Sequence, residues 1–220
     1  VKGRIVWFPG LGADARLARF HDGVGIPCVW QEWLTVGEEE KFGEYAERMG
    51  ASAGVRAEDW VAGVSFGGTV ALAWARRHPV RGVILVGSPR SAVDVAWPLR
   101  AAAAAGGLNA VPAWMVDERK VPRALLRWWF GVRTPEECDL LLEMAQSVGA
   151  ERMRRLCRMA LSVEEEVRAD VPVLSLHGTE DRIVPFRADR GHIPVEGAGH
   201  MVSITHADAV NGHIRRFMCG

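Results

Sequence analysis

Trp60-Val61-Ala62-Gly63-Val64-Ser65-Phe66-Gly67-Gly68 is the stretch whose reading decides the fold. Trp60–Val64 is a short, uncharged apolar run, the pattern of a strand covered on both faces. After the serine and two glycines comes Thr69–Arg77, which reads as a helix stopped by His78-Pro79. A strand that turns sharply into a helix through G-x-S-x-G strains the backbone at the serine and needs small neighbours, and Gly63, Gly67 and Gly68 meet that need. With 24 glycines in the chain, chance alone would give about 0.1 such matches, so the pentapeptide gains its meaning from the strand and helix around it. A glycine-rich turn without chemistry is the plain alternative.

The same alternation runs outward in both directions. Arg4–Phe8, Cys28–Trp33, Gly82–Val86, Val171–Leu176 and His192–Val195 read as further buried strands bounded by Gly or Pro. Phe42, Tyr45, Ala46 and Met49 form one stripe of a surface helix. Ile204, Ala207, Val210, Ile214 and Phe217 are expected on one side of a single last helix. Strands alternating with helices predict an α/β fold with a mostly parallel sheet of about six strands flanked by helices. Residues 91–170 break the rhythm, with helical patterns only: Met153, Leu156, Cys157, Ala160 and Leu161 make one amphipathic stripe, and Leu140–Leu142 with Met144 suggest another. The expectation is one domain over residues 1–220 with a helical cap or lid inserted over 91–170. Helices that merely cover a sheet face are the alternative.

Composition narrows the partners. The 220 residues are 49% hydrophobic and 25% charged, an ordinary globular balance. Lys plus Arg and Asp plus Glu stand at 27 each, so no net charge draws the chain to nucleic acid or an anionic membrane. A small-molecule ligand is the expected partner. No apolar run reaches the ~20 residues that span a bilayer. Cys28, Cys138, Cys157 and Cys219 are widely spaced without a C-x-x-C pair, so free thiols and a cytoplasmic location are expected, with no secretory h-region visible at Val1–Gly3.

The serine hydroxyl needs a base within hydrogen-bond reach to become a nucleophile. Among seven histidines, His200 stands out: Gly197-Ala198-Gly199-His200 lies between the last strand and the last helix, at the sheet edge where open α/β folds bind ligands. His78 reads as a helix C-terminal residue, His206 and His213 as part of the final helix, His177 as support for a turn, and His21 and His192 have no motif around them. An acid must hold the base in one tautomer. Asp181, just after Val171–Leu176, gives the chain order Ser, Asp, His, with Glu180 and Asp94 as rivals. Oxyanion donors are expected from the backbone N–H of Phe66 and, in the loop Pro9-Gly10-Leu11-Gly12, from that of Leu11. That loop lacks the third glycine and the Lys-Ser/Thr pair of phosphate loops, and Asp14 after it could cap a helix or touch a ligand.

These segments together resemble the α/β-hydrolase superfamily over most of the chain: Gly10-Leu11-Gly12-Ala13-Asp14, Gly63–Gly68, the H-G-x-x-D-x-x-x-P stretch from His177 to Pro185, and Gly199-His200. The likeness is greatest to small bacterial hydrolases of unassigned substrate. It implies the α/β-hydrolase fold, a catalytic triad of Ser65, Asp181 and His200, and no cofactor or metal. Pro9 departs from the pattern, standing where many relatives have a histidine. The chain also starts at what resembles the family's third strand, so its first two strands are expected to be absent.

The function these readings predict is hydrolysis of a carboxylic ester or thioester through an acyl-enzyme. Large apolar residues in the 91–170 segment, among them Trp97, Trp114, Trp128, Trp129 and Phe130, are candidates for binding a hydrophobic acyl or alkyl group, against the plainer reading that they pack a core or lid. A C–C bond hydrolase, lyase or perhydrolase on the same residues is the first alternative, and a non-catalytic ligand-binding module the second. A metal hydrolase built on His177, Asp181 and His200 lacks ligand spacing.

Overall fold

A computed structural model describes residues 3–107, 122–164 and 166–219. Its strands are β1 (Ile5–Phe8), β2 (Cys28–Trp30), β3 (Trp60–Val64), β4 (Gly82–Val86), β5 (Val173–Gly178) and β6 (Ile193–Val195). They form one sheet in the order β2-β1-β3-β4-β5-β6, and every neighbouring pair is parallel. The expected parallel sheet is therefore present, and β3 and β4 sit at its centre. β2 ends three residues earlier than the apolar run suggests, because Trp33 turns out of the sheet to join the loop after β1.

Both faces of this sheet are dry. Ile5 and Trp7 of β1, Ala62 of β3 and Ile84 of β4 belong to one apolar cluster, whereas Val6, Phe8, Val61 and Val83 belong to another. Alternate residues of a strand point to opposite faces, so an uninterrupted apolar run is what two covered faces demand. Helix α1 (Phe42–Ser52) and helix α2 (Phe66–Ala75) cover one face through Tyr45, Met49, Val70 and Leu72. Nine of the ten residues of α2 are buried, so it reads as apolar all round. Each fully buried Val, Leu or Ile contributes about 1.5–3 kcal/mol, which is how the sheet outweighs the local cost of the glycines in its turns.

The described residues between β4 and β5 contain no strand but four α-helices, besides short 3-10 and π turns: α3 (Trp97–Ala102), α4 (Arg123–Phe130), α5 (Pro135–Val148) and α6 (Ala150–Leu161). Thr134 caps α5 in a reciprocal box with Glu137, and Gly149 at φ 79° turns α5 into α6. The chain closes with α7 (Val202–Thr205) and α8 (Ala207–Cys219), where a single helix is predicted from sequence. The break falls at His206, with φ −134° and ψ 36°. The Thr205 hydroxyl donates to the Met201 carbonyl and also meets the His206 ring, and such back-bonding bends helices. No helix among the described residues is long and apolar enough to cross a membrane.

Three histidines are packed into this framework. His21, 1% exposed, stacks on Trp7 and bonds Asn211 Oδ1 through Nδ1 at 2.8 Å; burial pushes its pKa down to about 4. Burial also depresses His192, to about 4, and His177. Unfolded imidazoles titrate near 6.5. From there down to about pH 4 the unfolded chain takes up protons that the folded chain refuses, so stability is full above pH 6.5 and falls through that window. Urea denaturation at pH 7.5 and 5.5 should show a loss of about 1 kcal/mol or more from His21 alone. His21→Gln should shrink the difference between the two pH values; an undiminished difference would remove His21 as its source.

Candidate active site

The turn between β3 and α2 is set by contact distances. Ser65 has φ 51° and ψ −127°, and no other non-glycine residue among those described has positive φ. A backbone held there stores about 1–3 kcal/mol of strain. Two hydrogen bonds fix it: Ser65 N–H donates to Val86 O at 2.9 Å, and Gly68 N–H donates to Ser65 O at 3.0 Å. A methyl group on Gly67 would lie 2.1 Å from the Phe8 carbonyl oxygen, and one on Gly63 would lie 2.2 Å from the Gly67 backbone. At Gly68 it would meet Ser88 Oγ at 2.2 Å. The glycines therefore let α2 start directly after the serine and lie against β1 and β4. Helix propensity alone would delay that start to Thr69.

His200 reaches this serine from the loop after β6. Its Nε2 lies 3.0 Å from Ser65 Oγ, and its Nδ1 lies 2.8 Å from Asp181 Oδ2. Asp181 is fixed in turn, because its Oδ1 accepts the N–H groups of Ile183 at 2.8 Å and Val184 at 2.9 Å. An ionised carboxylate can only accept, so Nδ1 must carry the ring proton and Nε2 is left with a lone pair facing the hydroxyl. The Asp181 and His200 side chains are buried, whereas Ser65 is half-buried. The rivals of Asp181 are occupied elsewhere. Asp94 accepts the Arg90 and Ser91 N–H groups and faces Arg190, while Glu180 is exposed.

Two backbone donors flank the serine. Phe66 N–H opens α2, at the positive end of its dipole. Leu11 N–H lies in a turn closed by Ala13 N–H donating to Gly10 O at 3.0 Å, with Gly12 at φ 71° and Leu11 at negative φ, the type II pattern. Among the described residues neither N–H has a protein acceptor. A methyl group on Gly10 would sit 3.3 Å from Ser65 Cβ, so this turn passes directly beside the serine. A hydroxyl, a base with a free lone pair, and two unpaired donors are what acyl transfer requires.

Residues 8–213 match the sequence pattern of the alpha/beta hydrolase family. The chain belongs to that family. No curated protein sequence matches it. Among solved structures, a thermophilic esterase from Thermogutta terrifontis superposes with a TM-score of 0.74 at 16% identity, over 100% of this chain and 90% of that one. An enol-lactonase from Burkholderia xenovorans LB400 gives 0.69 at 20% identity, over 100% and 93%. The esterase RhEst1 from Rhodococcus sp. ECU1013 gives 0.67 at 20% identity, over 99% and 91%. At these identities the likeness is one of fold.

In this α/β hydrolase the segment between β4 and β5 is tied to the loops that leave the C-terminal ends of the strands. Met201 N–H donates to Phe130 O at 2.9 Å, and Arg133 Nη2 donates to Gly197 O at 2.8 Å. Arg182 Nη1 donates to Trp128 O at 2.8 Å. Asp14 caps the turn after the loop of β1, as one of its two sequence readings has it, and also accepts from Arg16 and Ser147. Arg16 continues to the Glu143 carbonyl at 3.0 Å. Gly131 lies against Gly199 so closely that a methyl group on either would be 2.6 Å from the other's Cα.

The tryptophans expected to bind substrate differ in exposure. Trp97 is 72% and Trp128 52% exposed, and Trp129 is half-buried, edge-on to Trp128. Trp114 lies outside the described residues. The α4 ring beside His200 is Phe130, 6.4 Å away between centroids. Phe130 is among the large apolar residues expected from sequence to line a pocket; sequence reasoning missed Gly131, because its partner, the His200 loop, lies about seventy residues away along the chain. It also missed the pairing of His177 with His192, whose rings stack at 3.7 Å and 4°. In the register of β5 and β6 His177 stands opposite Pro194, and His192 comes just before β6.

Gly67→Ala should lower the thermal midpoint by about 6–12 °C, since forcing a methyl group against backbone costs about 3 kcal/mol or more. Calorimetry checks it. An unchanged midpoint would mean that α2 does not approach β1 this closely.

Proposed function

We propose that this α/β hydrolase is a serine hydrolase that cleaves a carboxylic ester or thioester through an acyl-enzyme. The observation that carries the reading is the unbroken chain of hydrogen bonds from Ser65 Oγ through His200 to Asp181, at a serine flanked by two unpaired N–H groups. Ser65 Oγ attacks the substrate carbonyl carbon while His200 Nε2 takes its proton. The carbonyl oxygen, now negative, accepts from the N–H groups of Leu11 and Phe66. The imidazolium, stabilised by Asp181, gives its proton to the departing alkoxide or thiolate. Water then attacks the acyl group while His200 takes a proton from it; the bond to Ser65 Oγ breaks, His200 returns that proton to Oγ, and the acid leaves.

A hydrophobic acyl or alkyl group suits the surroundings. Phe130 faces the base, and half-buried Trp129 extends the apolar surface of α4. The 91–170 segment then acts as a cap over the reacting serine, a role supported by its ties to the loops after β1, β5 and β6. The esterases and the lactonase among the structural neighbours carry ester chemistry on this fold by their own descriptions. The four free cysteines favour a reducing, cytoplasmic setting.

Ser65→Ala should lower turnover of p-nitrophenyl butyrate by at least about 10⁴-fold and abolish labelling by a fluorophosphonate probe. Asp181→Asn should cost about 10⁴ in kcat, because the amide N–H favours the wrong tautomer of His200. Turnover that survives Ser65→Ala would end the proposal. Labelling without ester or thioester cleavage would move the reaction to C–C cleavage or perhydrolysis at the same serine.

A further inference from the structure

We propose that the indole of Trp33 aims the Leu11 N–H at the reacting oxygen, acting through the Gly10–Leu11 peptide. This rests on the serine-hydrolase reading above, and it makes Trp33 a positioning residue for that reaction.

The Gly10 carbonyl oxygen accepts two hydrogen bonds, from Ala13 N–H at 3.0 Å and from Trp33 Nε1–H at 3.0 Å. A trans peptide is planar, with its C=O and N–H pointing in opposite directions. Holding the Gly10 oxygen therefore holds the Leu11 hydrogen, and directs it away from Trp33 and from the interior of the turn. One bond from Ala13 would let the peptide pivot about the line of that bond. A second, from a group outside the turn, fixes its plane. The need is local, because Gly10 has no side chain of its own to pack and lies against Ser65.

Trp33 is suited to the task. It is 4% exposed, and its ring stacks on Phe66 at 5.7 Å and on Tyr45 at 6.2 Å. The same side chain thus bonds the peptide that carries one donor and packs on the residue that carries the other. Its own segment is pinned to α1: the Tyr45 hydroxyl donates to Leu34 O at 3.0 Å, and Arg48 Nη2 donates to Thr35 O at 2.7 Å. The buried indole nitrogens of Trp30, Trp60 and Trp74 have no hydrogen-bond partner among the described residues, so packing alone accounts for those rings. Trp33 is different: its N–H is committed to one carbonyl, beside the serine.

The test separates aim from packing. Benzothienylalanine, placed at position 33 by nonsense suppression, keeps the bicyclic shape and loses the N–H; Trp33→Phe is the simpler variant. For a p-nitrophenyl ester, kcat should fall about tenfold or more, less than the 10²–10³ lost when an oxyanion donor is removed outright, with KM within twofold. A trifluoromethyl ketone, which adds to Ser65 as a charged hemiketal, should bind correspondingly weaker, while the matching methyl ketone binds as before. The isosteric variant carries the test if Trp33→Phe does not fold. Full kcat in the folded isosteric variant, a loss confined to KM, or unaltered trifluoromethyl ketone affinity would overturn the assignment of Trp33 alone. A wild-type enzyme that neither turns over esters nor reacts with fluorophosphonate would overturn the serine-hydrolase reading beneath it.

Discussion

The close approach of Gly67 to the Phe8 carbonyl is the constraint on which the rest of this structure depends. It lets helix α2 begin one residue after Ser65, which forces the serine to positive φ at the C-terminal edge of the sheet. Once the serine stands there, the loop after β1 must pass beside it, and at Gly10 it does so closely enough that an added methyl group would press on the Ser65 Cβ. A side chain at any of Gly63, Gly67 or Gly68 would push the helix away and relax the turn. The strain at Ser65 is held by buried strands on either side, each contributing more than the turn costs.

Parallel strands place all their C-terminal ends on one edge, so residues remote in sequence converge without special linkers. Asp181 leaves β5, His200 leaves β6, and Ser65 leaves β3. The backbone N–H groups of Ile183 and Val184 set the carboxylate, the carboxylate sets the imidazole tautomer, and the imidazole faces the hydroxyl. Helix α4 is hydrogen-bonded through Trp128 and Phe130 to the loops at the same edge. Its hold on the His200 loop is direct backbone contact at Gly131 and Gly199, so any movement of α4 is linked to that loop.

Much of this was legible beforehand for a definite reason. Strands buried on both faces must be apolar throughout, which is why five-residue runs such as Trp60–Val64 and Gly82–Val86 carry their own boundaries. The candidate triad was legible because each member sits in a short motif next to a strand end. The break at His206 was not, since it comes from a threonine hydroxyl bonding its own helix rather than from a change in pattern. Nor was the early end of β2, where Trp33 leaves the sheet for a carbonyl more than twenty residues earlier.

The sequence by itself determined the parallel α/β architecture, the strand-to-helix turn at Ser65, and the order of the three polar residues, because these are local patterns of burial and glycine. Tertiary structure alone decided which α4 ring faces His200, what engages the rival acid Asp94, and which side chain holds the Gly10 carbonyl. Those outcomes depend on distances between segments far apart in the chain, and no local pattern carries such distances. Motif and chain order favour Asp181 over Asp94, and packing then gives Asp181 the histidine and Asp94 an arginine.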